Sequence, residues 1–145
     1  MTTIEKRATT GRLEADIEGD TERWVADSVI YEADTNSFVV GGPEGGFMFK
    51  GLYFTFPTNI SIGEHAINRD TRVGAWFNPG RANSWHADEK GGTVNVLSVS
   101  SNEASIKISF NFVAVNPANN QERKKIDGEG EFEGHSLKSD VKYKK

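Results

Sequence analysis

Residues 104–134 read ASIKISFNFVAVNPANNQERKKIDGEGEFEG. In the first half, Ile106, Ile108, Phe110 and Phe112 alternate with Lys107, Ser109 and Asn111. In the second half, Ile126 and Phe132 alternate with acidic residues. Such alternation marks half-buried strands with one wet face, because successive side chains of a strand point to opposite sides. NPANN at 116–120 continues neither strand, so the chain turns near residue 118. Folding about that point sets Phe110 and Ile108 across from Gly128 and Gly130, within a register step, where a large ring fills the gap a strand glycine leaves. The same fold brings Lys107 near Glu129 and Glu131 on the opposite face, and an opposite-charge cross-strand pair contributes roughly 0.2–1 kcal/mol. Packing and charge select one register for this hairpin.

The same period of two extends outward from the hairpin. Leu13, Ala15 and Ile17 alternate with Glu14, Asp16 and Glu18, and Val73, Ala75 and Phe77 alternate with Gly74 and Trp76. Only residues 20–27 hint at helical spacing. GGPEGG at 41–46, NPG at 78–80, EKGG at 89–92 and SSNE at 100–103 punctuate the apolar runs. About nine strands follow, near 12–18, 23–32, 37–41, 46–56, 63–67, 71–78, 91–99, 104–115 and 122–134. Short strands at this spacing predict an all-β domain, an antiparallel two-sheet sandwich, with a closed β-barrel as the structural alternative.

The chain has 145 residues, enough for one domain. That domain is expected over 12–135, between polar tails at 1–11 and 136–145, the second rich in lysine. Apolar residues make up 36%, or about 46% with the 15 glycines, as in ordinary globular proteins. Seventeen basic against 21 acidic residues leave a net charge of -4. That balance argues against partners bound by neutralising phosphates, hence against nucleic acid, and removes a polybasic route to anionic membranes. With no cysteine, disulfides, thiol catalysis and Cys-ligated zinc are excluded. No apolar run approaches the roughly 18 residues of a transmembrane helix. MTTIEKRATTGR has no secretory apolar core, so the expected location is the cytoplasm by default, or outside by signal-independent export.

The chain resembles a family of uncharacterised bacterial β-domains often carried on lipoproteins. The opening resembles its A-x-I-x-G strand and turn followed by a Trp-Xaa-Ala step, in Ala15, Ile17, Gly19, Trp24 and Ala26. The middle is similar at Ile62, Gly63, His65 and Ile67, with His65 where the family carries an aromatic. The end is similar at Gly92 to Val96, Phe110, Phe112, Gly130, Phe132 and Gly134. The likeness spans most of 12–134. It implies a β-sandwich and no established activity. The lipobox cysteine and signal of many such proteins are missing here.

His65, His86 and His135 are the three histidines, and no two stand at a metal-ligand spacing. No G-x-S-x-G elbow is present. Two acidic stripes stand out. Glu14, Asp16 and Glu18 share one strand face, and Asp127, Glu129, Glu131 and Glu133 share another. As solvated faces they keep the sheet soluble. As a cation site, Asp127, Glu129 and Glu131 would hold Ca2+, which prefers oxygen ligands. Like charges directly opposite are destabilising, so these strands are expected not to be neighbours with stripes aligned. Were they paired, a bound cation would be the favoured account.

The neutral aromatic regions carry the remaining signal. Phe47, Phe49 and Tyr53 fall in a strand expected to bulge at Lys50–Gly51 and to show aromatics on both faces. They form either a twice-buried central strand or an interface, homodimeric or with a protein, sugar or lipid. Trp76, Asn78, Arg81, Asn83, Trp85 and His86 cluster in and beside a loop. Tryptophan beside Asn and Arg suits stacking on a sugar ring with hydrogen bonds to its hydroxyls. The reading favoured is a non-catalytic binding or interaction module for a glycan or protein, with no cofactor and no enzyme activity. Two alternatives stand beside it. One is a membrane-lipid-binding protein, since lipid-binding cytolysin components such as aegerolysins share the size, charge and aromatic content. The other is a hydrolase, which needs a nucleophile and base in hydrogen-bond reach within a pocket.

Overall fold

The computed structural model describes residues 9–44, 50–80 and 84–136. Eleven strands lie within them: β1 (Thr10–Ile17), β2 (Trp24–Val25), β3 (Ile30–Ala33), β4 (Ser37–Pro43), β5 (Gly51–Pro57), β6 (Gly63–Ala66), β7 (Gly74–Asn78), β8 (Trp85–Ala87), β9 (Thr93–Ser100), β10 (Ser105–Asn116) and β11 (Asn119–Glu133). The strand expected over 23–32 is two strands, and β8 falls where a loop was expected.

Neither the two-sheet sandwich nor the closed barrel is what forms. The ladders make one antiparallel sheet in the order β2-β1-β11-β10-β8-β7-β5-β4-β3, with β9 branching from β10 and β6 paired to β9. The branch arises because β10 is long. Its first part, Ser105–Asn111, pairs with β9, and Ala114 and Val115 then pair with β8. The sheet therefore continues where a sandwich would break it in two. It is also open: the path ends at β2 and β3, which are successive in the chain and joined by no ladder.

Curling, rather than a second sheet, buries the core. In a flat sheet β5 would lie about 14 Å from β10, three strand spacings away. Instead the ring of Phe54 on β5 meets those of Phe110 and Phe112 on β10 at 4.6 and 6.0 Å. The half-barrel's concave face carries one core cluster that draws on nearly every strand, including Leu13, Val40, Phe77, Val96, Ile108 and Phe132. Glycines permit the tight curvature. A Cβ on Gly128 would stand 2.1 Å from the Glu14 carbonyl oxygen and 2.6 Å from Ala15 Cα, and one on Gly42 would stand 2.0 Å from the Ser28 carbonyl oxygen.

The β10–β11 hairpin falls within the step expected: Phe110 faces Gly128, Ile108 faces Gly130, and Lys107 faces Glu131, with a register shift between Val115 and Asn116 beside the turn. In β9 a bulge at Leu97 shifts the alternation. Val94 and Val96 point inward before it, Val99 packs on the core after it, and Leu97 is left exposed. β5 begins at Gly51, with Leu52, Phe54 and Phe56 all fully buried. Phe47 and Phe49, and with them the expected bulge's N-terminal side, lie outside the described residues. Among the described residues no helix is long and apolar enough to cross a membrane.

Candidate functional site

The convex face of the sheet carries a row of side chains that four ladders align. Tyr53 on β5 is opposite Trp76 on β7, Trp76 is opposite His86 on β8, His86 is opposite Val115 on β10, and Val115 is opposite Arg123 on β11. Strand parity puts them outside. Ala75 and Phe77 flank Trp76, Trp85 and Ala87 flank His86, and all four of those neighbours point into the core. Val115 is buried yet lies outside the core cluster, so it is covered on the convex side. Trp76 has room because its neighbour is glycine. A Cβ on Gly74 would stand 2.8 Å from the Trp76 ring and 2.9 Å from Thr55 Oγ1.

Beside this row lies an open cleft of about 640 Å³. It opens where the sheet forks, between the loop that joins β6 to β7 and the loop that joins β8 to β9. Trp76, His86, Arg69, Arg72, Asp88 and Arg123 line it. Asp88 and Arg123, both in its lining, form an ion pair. The 67–73 loop is tightly tied: Thr71 N donates to Asn68 Oδ1 at 2.9 Å, Thr71 Oγ1 donates to Ala66 O at 2.6 Å, and Val73 N donates to Thr71 Oγ1 at 3.2 Å. This turn holds Arg72 at φ 61°, a left-handed conformation that is costly for a side chain with a Cβ. Tyr53, at the row's other end, has its phenol pushed above its ordinary value by burial and then by the charge of Glu32.

The six residues expected to form a ligand site are divided. Trp76 and His86 share the convex row and the cleft. Trp85 is adjacent to His86 in a strand, so it faces the other way. It is buried edge-on against Phe77 at 5.8 Å, and its Nε1 has no hydrogen-bond partner. Asn78 is buried, and its Oδ1 accepts from Gly80 N at 3.0 Å, which closes the turn after β7. Arg81 and Asn83 lie outside the described residues. Of the expected interface, Tyr53 is half-buried beside Trp76. Arg69 and Arg72 escaped the sequence reading, although the signal was present: two arginines flank the N-R-D-T-R turn next to the Gly-x-Trp strand.

The histidines have ordinary partners. His65 Nε2 is 2.7 Å from Ser61 O and His86 Nδ1 is 3.2 Å from Ala87 O, both backbone carbonyls. His135 packs edge-on against the Tyr31 ring at 5.3 Å.

The acidic stripes behave differently from expectation. β1 and β11 are direct neighbours, with Glu14 opposite Glu129 and Asp16 opposite Asp127. A guanidinium lies between them. Arg23 Nε donates to Glu14 at 2.9 Å, Nη1 meets Asp16 at 2.9 Å, and Nη2 lies 3.7 Å from Glu129. Arg12 pairs with Glu14 and stands opposite Glu131. The hydrogen bond from Arg23 holds the Glu14 carboxyl below its ordinary value, helped by the charges of Arg12 and Arg23 and opposed by desolvation. The bond to Glu14 likewise raises Arg23. Asp127, Glu129 and Glu131 stand two apart along a strand and do not converge. Among the described residues no group of three or more His, Asp or Glu side chains is placed to hold a metal ion.

Compared with protein-family models, with curated proteins and with solved structures, the chain matches none.

Proposed function

We propose that this protein is a non-catalytic binding module, that its ligand is a carbohydrate, and that the ligand lies in the cleft beside Trp76. The observation that carries the reading is the Trp76 ring, partly exposed over Gly74 and Thr55 at the edge of a 640 Å³ cleft. A sugar ring presents an apolar C–H face and a rim of hydroxyls. An indole takes the first, and nearby His, Asp and Arg side chains take the second. The histidine rings hydrogen-bond backbone carbonyls rather than a serine hydroxyl, which supports binding rather than nucleophilic chemistry.

Intrinsic fluorescence tests it directly. Trp24 and Trp85 are buried, at 4% and 7% exposure, so a sugar that stacks in the cleft perturbs Trp76 alone. Titration with oligosaccharides is expected to shift the emission, and Trp76→Ala is expected to abolish both the shift and the binding. A glycan array on which the protein retains nothing would overturn the reading.

A further inference from the structure

The charges around the cleft narrow the ligand further. Five arginines lie among the described residues. Arg12, Arg23 and Arg123 are each held in an ion pair. Arg69 and Arg72 are in none, and both are exposed at the lip of the cleft. Of the two carboxylates in the lining, Asp88 is already paired with Arg123. Of the lining groups, only Glu89 opposes the two free guanidinium groups. Three arginines thus line the cleft against two carboxylates, Asp88 and Glu89. That is an excess of one positive charge beside an aromatic platform, in a chain of net charge -4. The exposed Asp70, between Arg69 and Arg72, lies outside the lining.

The loop geometry adds an independent observation. Arg72 adopts φ 61° in a turn that glycine or asparagine would fill without strain. Stability alone would not select arginine there. The turn's side-chain hydrogen bonds, from Asn68 and Thr71, fix the backbone on both sides, so the guanidinium leaves the loop from a rigid base.

Resting on the carbohydrate reading, we infer that the cleft selects an acidic sugar, a hexose residue bearing a carboxylate. Its ring lies on Trp76 while Arg69 and Arg72 take the anionic group. Guanidinium groups match a carboxylate in a planar, two-point geometry.

The test uses three probes on the whole protein: uronic-acid oligosaccharides, their methyl esters, and neutral oligosaccharides, read by Trp76 fluorescence and by calorimetry. The acid is expected to bind and the ester, with the same ring but no charge, to bind about ten-fold or more weakly. Added salt is expected to weaken the acid alone. Arg72→Gly keeps the turn and is expected to melt no lower than the wild type, yet to lose the preference for acid over ester. Arg69→Ala is expected to reduce that preference. Equal binding of acid and ester, or binding of neutral sugars alone, would overturn the acidic-sugar inference and leave the carbohydrate reading standing. Binding of none of the three would overturn both.

Discussion

Arg23 decides how two acidic strands lie side by side. Without its guanidinium, Asp16 would face Asp127 with no ion-pair partner beside it, and Glu14 would face Glu129 with Arg12 alone as countercharge. Like charges directly opposite destabilise a sheet, and exposed charges are screened by salt. Arg23→Ala is therefore expected to lower the melting temperature at neutral pH. Salt should partly restore the variant, because mainly repulsion remains to be screened, and should do little for the wild type. The pH dependence follows from Glu14, whose carboxyl is held below its ordinary value of 4.5. A depressed carboxylate stabilises the fold fully above the unfolded value and loses that contribution as pH falls through the lower folded value. Wild type and variant should thus differ most at neutral pH and converge in acid. Thermal melts across that range at low and high salt check it. A variant that stays less stable by the same margin in acid would show that Arg23 acts through packing. The sequence alone could not reveal this arrangement. Arg23 precedes a two-residue strand, and its nearness to Glu129 depends on a ladder between residues more than a hundred positions apart.

Within elements, the hairpin shows what local sequence specifies. β10 and β11 are joined by a short turn, and ring-over-glycine packing with the Lys107–Glu pairing places Phe110 opposite Gly128 to within one register step. Counting outward from the turn alone does not, because the register shifts between Val115 and Asn116. The two glycines of β11 then differ in what they tolerate. A Cβ at Gly128 meets backbone: the Glu14 carbonyl oxygen at 2.1 Å and Ala15 Cα at 2.6 Å. A Cβ at Gly130 meets the Phe132 ring at 2.9 Å and Leu13 Cδ1 at 3.0 Å, side-chain atoms rather than backbone. Gly128→Ala is expected to cost about 3 kcal/mol or more, by forcing β1 away, and Gly130→Ala about 1 kcal/mol. Urea denaturation of both variants checks the order, and equal costs would contradict it. Strand β8 was not readable. Its three residues, Trp85–Ala87, follow a Pro-Gly turn and Asn-rich sequence and precede Asp88, so they read as loop. That one omission had two effects. It hid the opposite facing of Trp85 and His86, and it hid the strand that carries the sheet from β7 to β10.

At the scale of the whole molecule, alternation along strands reports which side chains are buried but not what buries them. Phe54 points inward equally well into a sandwich or into a curled sheet. The choice is made by how β10 divides its edge between β9 and β8, which is a long-range matter. The convex row from Tyr53 to Arg123 is hidden for the same reason, since it needs four ladders in register before it exists. The curled sheet also has a seam where its ends approach, and residues 134–136 tie it. Thr9 Oγ1 donates to Gly134 O at 2.7 Å and lies 2.7 Å from Ser136 Oγ. Tyr31 N donates to Ser136 Oγ at 3.1 Å, and Ser136 N donates to Tyr31 O at 2.8 Å. One hydroxyl thus links the start of β1 to β3, the far end of the sheet. The geometry fits a directed chain in which Tyr31 N–H donates to Ser136, Ser136 to Thr9, and Thr9 to Gly134, each bond polarising the next. Ser136→Ala removes the middle of that chain and leaves the Tyr31 amide without this partner. The expected cost is about 1–2 kcal/mol. Hydrogen exchange locates the effect. Protection should fall at Tyr31 and its β3 neighbours far more than in β10, which is paired on both edges. Uniform loss across all strands would instead mean that the seam and the core open together, so that residues 134–136 belong to the same cooperative unit as the central hairpin.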